Sequence, residues 1–220
     1  MGKPQVCAKL GGTRASRVFL AADYKKMQIE AKILESPFVR LEPMTQAHRE
    51  DLRAACNSDP TTWHDLYPYS MAGEHFDPTW ARIEDEVAAG RTIAFAVTVE
   101  GRCRGITCYS GIDGANAVVE IGGTYYRPDL RGAVVNPAAK HLMLGHAFGS
   151  QARRVVFRVD AINLRSRAAV LKLGAVEEAL LRHDRITWTG RIRDTVIFSV
   201  LADEWLAVRA RLDARLAAFA

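Results

Sequence analysis

What this chain lacks narrows its chemistry first. No apolar run approaches the roughly 18 residues that a membrane-spanning helix needs, and the N-terminal stretch, with Lys3 and Lys9, holds no uninterrupted apolar core of the signal-peptide kind. A soluble, cytoplasmic protein with no membrane partner is the expectation. Cysteine is scarce. Cys7, Cys56, Cys103 and Cys108 form no C-x-x-C pair and cannot be grouped with histidine at zinc spacing, so they read as reduced thiols. His141 and His146, five apart on one predicted helix, share no face, and no metal is expected. Aromatic residues make up only 8% and never interleave with a basic stripe, which puts nucleic acid last among the partners of a chain with net charge +5.

What is present fits one globular domain, with or without a terminal extension. The chain has 220 residues, 49% hydrophobic and 25% charged, a composition that buries a core without help. Arginine is concentrated after residue 127, so that half should attract an anion such as a polyphosphate cofactor or an acidic surface.

Residues 1–31 show no sustained period and are expected to form an N-terminal extension or arm, a segment that could pack against a second copy in a homodimer. The domain proper is expected over residues 32–220. Its first strand is set by Phe38-Val39-Arg40-Leu41, Pro43 stops it, and Thr45 opens a helix through Cys56. A second helix follows over residues 78–89. Between them lies a loop of aromatic and polar residues, Trp63 to Tyr69, of a composition that lines binding clefts. Residues 93–99, 103–109 and 118–126 alternate as strands around Gly- and Asn-containing turns and form an antiparallel meander. Then come a helix from Pro137 to about Gln151, a strand over 155–160, a helix over 164–173, two strands over 176–185 and 193–201, and an amphipathic helix over 203–219. The order is mixed α/β, with helices flanking a mostly antiparallel sheet.

Two segments carry chemistry. The strand 118–126 runs into Arg127-Pro128-Asp129-Leu130-Arg131-Gly132-Ala133-Val134-Val135-Asn136, and Pro137 suits a first helical position. A glycine-containing loop that ends on a helix start offers free N–H groups and a partial positive charge to phosphates, and Arg131 adds a full charge. In the second segment the strand 155–160 ends, Asn163 caps a helix and Gly174 closes it.

Together these segments resemble the GCN5-related N-acetyltransferase superfamily, and within it the branch of ribosomal-protein alanine acetyltransferases. The similarity covers roughly Phe38 to Leu212. It is carried by Glu120-Ile121-Gly122, by Arg131-Gly132 through Asn136 to Lys140 and Phe148, by Asn163-Leu164-Arg165-Ser166, by Lys172-Leu173-Gly174-Ala175, and by Arg193-Asp194-Thr195-Val196. The family's pyrophosphate loop usually has Gln or Arg, two residues, Gly, one residue, then Gly or Ala. Here Asp129, Gly132 and Val134 occupy those positions, and only the central glycine agrees.

The resemblance implies a strongly twisted sheet, splayed at its central strands, and acetyl-CoA as cofactor. Thr124, Tyr125 and Tyr126 would face the pantetheine arm. Arg131, Gly132, Ala133, Val134, Val135 and Asn136 would hold the phosphates, with Asn163, Ser166 and Arg167 completing the cofactor site. It further implies direct attack of a primary amine on the thioester, with Glu120 as general base and Ser166 returning a proton to sulfur. Trp63, Tyr67, Tyr109, His183 and Asp184 are the candidate acceptor-side residues, the last two also alternative bases. The acceptor implied is a protein or peptide N-terminus; a small amine (amino sugar, polyamine or drug) and a non-catalytic CoA-binding module are the alternatives.

Overall fold

The computed structural model describes residues 26–219. Among them, eight strands form one sheet, β1 (Leu34–Ser36), β2 (Val39–Pro43), β3 (Ile93–Val99), β4 (Arg102–Asp113), β5 (Val118–Tyr126), β6 (Arg154–Asp160), β7 (Val176–Ile186) and β8 (Ile192–Leu201). They lie in the order β1-β2-β3-β4-β5-β6-β8-β7. Every neighbouring pair is antiparallel except β5 with β6. Six helices among the described residues flank it: α1 (Arg49–Asn57), α2 (Pro60–Leu66), α3 (Phe76–Ala88), α4 (Val135–Gly149), α5 (Leu164–Leu173) and α6 (Trp205–Ala217).

Strand alternation sorts the side chains onto two faces. Val119, Ile121, Val155, Phe157, Val159, Val196, Phe198 and Val200 point to one side and pack with Met143 and Leu144 of α4, Val170 and Leu173 of α5, and Val208 and Leu212 of α6. Ile106, Cys108 and Tyr125 point to the other, under Leu52 of α1, Trp63 of α2, and Phe76, Trp80 and Ile83 of α3. The stacked rings of Trp63 and Tyr125, 4.5 Å apart, add about 0.5–1.5 kcal/mol beyond their burial.

The expected mixed α/β order holds, with local differences. Trp63 to Leu66 belong to α2 rather than to a loop. The signal was Asp59-Pro60: Asp59 accepts from the Thr62 N–H at 3.2 Å as an N-cap, and Pro60 takes the first helical position. Helix α4 starts at Val135, so Pro137 is its third residue. That is tolerated because the first-turn N–H groups have no intrahelical acceptor. Of the expected arm, Met27 is already in the core at 2% exposure and Gln28 bonds to Ser150. Residues 1–25, including Cys7, lie outside the described residues. Cys56, Cys103 and Cys108 are free and buried.

Candidate active site

The sheet opens at one place. β5 and β6 pair over three rungs only, Val118 with Arg154, Val119 with Val155 and Glu120 with Val156. Beyond them β5 continues to Tyr126 on β4, and β6 continues to Asp160 on β8. A wedge with backbone on both sides results. On its β5 side the register with β4 shifts between Ile106 and Cys108, where Gly123 adopts φ 57°. Such a bulge turns backbone groups out of the ladder.

At the wide end of the wedge, the chain leaves β5 through a short 3-10 turn, Pro128–Leu130, and enters α4. The Arg131 N–H donates to the Pro128 carbonyl, and the next backbone donor with a backbone acceptor is Ala138, to Val134. Pro137 has no N–H. Gly132, Ala133, Val134, Val135 and Asn136 therefore present successive N–H groups without an acceptor among the described residues, beside the positive end of a 15-residue helix. Gly132 has φ 78°, and a Cβ there would meet nothing within 4 Å, so glycine is required by the left-handed backbone and not by space.

The Arg131 guanidinium turns away from this row of donors. Its Nε donates to the Tyr126 carbonyl at 2.8 Å, it pairs with Asp59 at 2.5 Å, and it lies 5.1 Å from the Tyr125 ring centroid. The side chain fastens the loop to α2, and the loop's anion-binding groups are its backbone. Arg167 is likewise engaged, with the Ala161 carbonyl and with Glu177, each at 3.3 Å. Asn163 caps α5 by accepting from the Ser166 N–H at 3.0 Å, which places both residues at the helix start next to β6.

Glu120 sits at the last rung before the wedge. Burial raises its carboxyl above the ordinary glutamate range, against the pull of Arg158, Arg185 and Arg193, while Asp184 adds to the rise. These residues form a polar floor on the β6–β8 half. Asp184 accepts from Arg158 at 3.1 Å and Arg185 at 3.4 Å. Burial opposes its ionisation, but the neighbouring Arg158 and Arg185 hold its carboxyl below the usual range. Asp160, nearly fully buried, pairs with Arg191 at 2.5 Å and faces Arg193 at 3.7 Å.

His183 and Asp184 are neighbours in sequence but not in role. His183 takes φ 52° at the β7 bulge, gives its N–H to Asp194 at 2.7 Å, and leaves its ring exposed. Asp184 alone turns into the floor.

The opposite wall is aromatic. The Tyr67 hydroxyl donates to the Thr124 carbonyl at 2.5 Å, and Tyr69 packs near Gly123. Trp63, only 1% exposed, backs this wall from behind and offers an acceptor no surface of its own. Tyr109 does not reach the wedge. It faces α4, fully buried, with its hydroxyl on the Met143 carbonyl at 2.6 Å, because it lies on the strand face opposite Cys108.

Tyr69 belongs to the aromatic stretch whose composition suits a cleft, whereas two residues, Trp188 and Arg158, escaped sequence reasoning. Trp188 lies in a turn with no period. Arg158 was accessible: Val155, Phe157 and Val159 alternate as the core face of β6, which puts Arg158 and Asp160 on the face toward Glu120.

Acetyl-CoA, the implied cofactor, fits what is present. The unpaired N–H row suits a pyrophosphate, and the opened β5 edge offers backbone to an amide-bearing arm. Among the described residues no group of three or more His, Cys, Asp or Glu could hold a metal ion, and no helix is long and apolar enough to cross a membrane.

Comparison with known proteins agrees with this geometry. The family model described as an acetyltransferase (GNAT) domain matches residues 39–176, more than half of the chain. A solved structure described as an acetyltransferase from T. thermophilus is 32% identical, covers 86% of this chain and 100% of its own, and superposes with a TM-score of 0.77. A GCN5-related N-acetyltransferase from Brucella melitensis is 28% identical over 89% of this chain and 90% of its own, with a TM-score of 0.80. Mycobacterium smegmatis RimJ, solved with CoA-disulfide, shares the fold at 23% identity, 84% and 93% coverage and a TM-score of 0.72. No curated protein matches the chain.

Proposed function

The chain belongs to the GNAT acetyltransferase family and is an acetyl-CoA-dependent N-acetyltransferase, and from that premise we propose that its acceptor is the free N-terminus of a protein or peptide, as in the ribosomal-protein alanine acetyltransferase branch. The observation that carries the reading is Glu120, a half-buried carboxylate at the point where β5 and β6 separate, with a polar floor on one side and an aromatic wall on the other. An acceptor amine that enters between floor and wall meets the Glu120 carboxylate first. The fold shared with RimJ supports the branch assignment.

Bound acetyl-CoA supplies an acetyl group activated as a thioester. Gly132 to Asn136 hold its phosphates through backbone N–H groups, with Asn163 and Ser166 bounding the other side of the wedge. Glu120, its carboxyl raised by burial, accepts the proton that the attacking amine must lose, directly or through a water. Asp184 is the alternative acceptor, but its pairing with Arg158 and Arg185 keeps it a weak base. Backbone N–H groups of the bulged strand near Thr124 to Tyr126 stabilise the charge that develops on the carbonyl oxygen. Ser166 stands at the α5 start as a proton source for the departing sulfur.

The test is release of free thiol from acetyl-CoA with a panel of peptides bearing free N-terminal residues, their N-blocked counterparts, and polyamines and amino sugars. Turnover that requires the free peptide N-terminus is expected. Turnover only with small amines would overturn the acceptor assignment while leaving the acetyl transfer intact.

A further inference from the structure

Lys140 is a buried amine with no acidic partner among the described residues. It lies on α4, 5% exposed, and its Nζ donates to the Thr124 hydroxyl at 2.8 Å and the Thr107 hydroxyl at 3.1 Å. Those two hydroxyls also bond each other at 2.8 Å, and Met143 closes the cluster from the same helix. A lysine placed so deep among neutral groups is costly, and two hydroxyls return only part of its lost hydration. The acetyl-transfer scheme above gives it no part.

Its position points to a use. Thr124 follows the bulge residue Gly123, and its own carbonyl is already held from the aromatic wall by Tyr67. Lys140 holds the same residue by its side chain from beneath the sheet. One turn before Lys140 on the helix lies Asn136, the last of the unpaired N–H groups. A single side chain thus joins the phosphate-binding end of α4 to the opened edge of β5.

We propose that Lys140 is a positioning residue for the acetyl donor, locking the bulged end of β5 onto α4 through Thr124 so that the thioester-facing backbone and the phosphate-binding helix start are held as one rigid unit. The inference rests on acetyl-CoA binding at that loop and strand. Burial pushes the Lys140 amine down to about 7, with the Cys108 thiol of β4 the one titratable group that acts on it, in the opposite sense. Near neutral pH the amine can therefore bind hydroxyls without forcing a full charge into the core.

The test compares two ligands by calorimetry on the full chain: acetyl-CoA, which spans loop and bulge, and adenosine 3′,5′-diphosphate, which lacks the pantetheine arm. Lys140→Met should weaken acetyl-CoA binding roughly tenfold, the scale of one or two lost hydrogen bonds, while leaving the nucleotide within twofold. Thr124→Val should do the same, and the double variant should be no weaker than either single one. Equal weakening of both ligands would reduce Lys140 to a general folding role and overturn the proposal, as would unchanged acetyl-CoA affinity. Should Lys140→Met fail to fold, Thr124→Val decides alone by the same ratio. A wild-type chain that binds neither ligand would instead defeat the cofactor reading beneath it.

Discussion

The carboxylate of Glu120 lies directly over Gly122: a Cβ built on residue 122 would stand 2.7 Å from Glu120 Oε1. The two residues share a strand face at a spacing of two, and the missing side chain is what allows the carboxylate to lean along β5 toward the wedge. Gly122→Ala therefore displaces the end of one flexible side chain and little else. Turnover should fall about tenfold or more, since a misplacement of the order of 1 Å is expensive for a reacting group. The acetyl-CoA dissociation constant should stay within about twofold. Steady-state kinetics paired with calorimetry check this, and unchanged turnover would remove Glu120 from the reaction.

Glu120→Gln tests the same group by charge rather than position. Burial raises the Glu120 carboxyl, so the wild-type kcat/KM should decline on the acid side at a pH above the ordinary glutamate range. The glutamine variant should lose about 10² in kcat, the usual contribution of a positioned base, and lose that acid limb with it. A pH profile that keeps its acid limb in the variant would assign the limb to another group, Asp184 being the neighbouring carboxylate.

At the loop, Gly132→Val probes backbone rather than contact. No atom stands within 4 Å of the added Cβ, so the effect comes from φ 78° alone. Left-handed backbone costs an L-residue about 1–2 kcal/mol, more for a β-branched one. Relaxing it reorients the unpaired N–H groups that follow Gly132. Acetyl-CoA affinity should drop roughly tenfold or more, with the thermal midpoint shifted by only a few degrees. Gly132→Asn, which tolerates the left-handed region better, should fall between.

The end of the last hairpin is fastened across the cleft. Trp188 in the β7–β8 connection donates its indole Nε1 to the Trp63 carbonyl at 3.2 Å and its backbone N–H to the Pro68 carbonyl at 3.2 Å, and its ring packs 4.5 Å from that of His75. Trp188→Ala should raise the KM for the acceptor several-fold while leaving acetyl-CoA affinity unchanged, because the clasp shapes the acceptor side only. Initial rates against each substrate in turn separate the two.

These residues also mark what could be read from sequence. Strand and helix order was accessible because each core face repeats at a period of two or of three to four, as in Val155, Phe157 and Val159. The glycine-containing loop and the Asn163 cap carry local signatures, and Asn163 does cap α5. Side-chain direction in loops was not accessible. The inward turn of Arg131 depends on Asp59, 72 residues away, and the Trp188 clasp on Trp63, 125 residues away, and no local pattern encodes either. Tyr109 was misplaced for a different reason. Its strand alternates correctly, but assigning a face to the cleft requires knowing that α1–α3 cover one side and α4–α6 the other.

Lys140 leaves a signature in stability that is independent of any substrate. In the folded chain its amine loses its proton near pH 7, whereas in the unfolded chain it holds it to about 10.4. Between those values the unfolded state binds more protons, so stability must rise with pH, by about 1.4 kcal/mol per unit for one proton. Below about pH 7 both states are protonated, the folded chain carries the full penalty of a buried ammonium, and the slope from this group vanishes. Lys140→Met removes the titration. Denaturant unfolding from pH 6 to pH 10 should therefore show the wild type gaining on the variant as pH rises through 7 to 10, with the variant relatively most stable at the acid end. A constant difference across that range would mean that the Lys140 amine keeps an ordinary lysine affinity for its proton in the fold, and with it the neutral, hydroxyl-bound amine beneath the bulge would have to be given up.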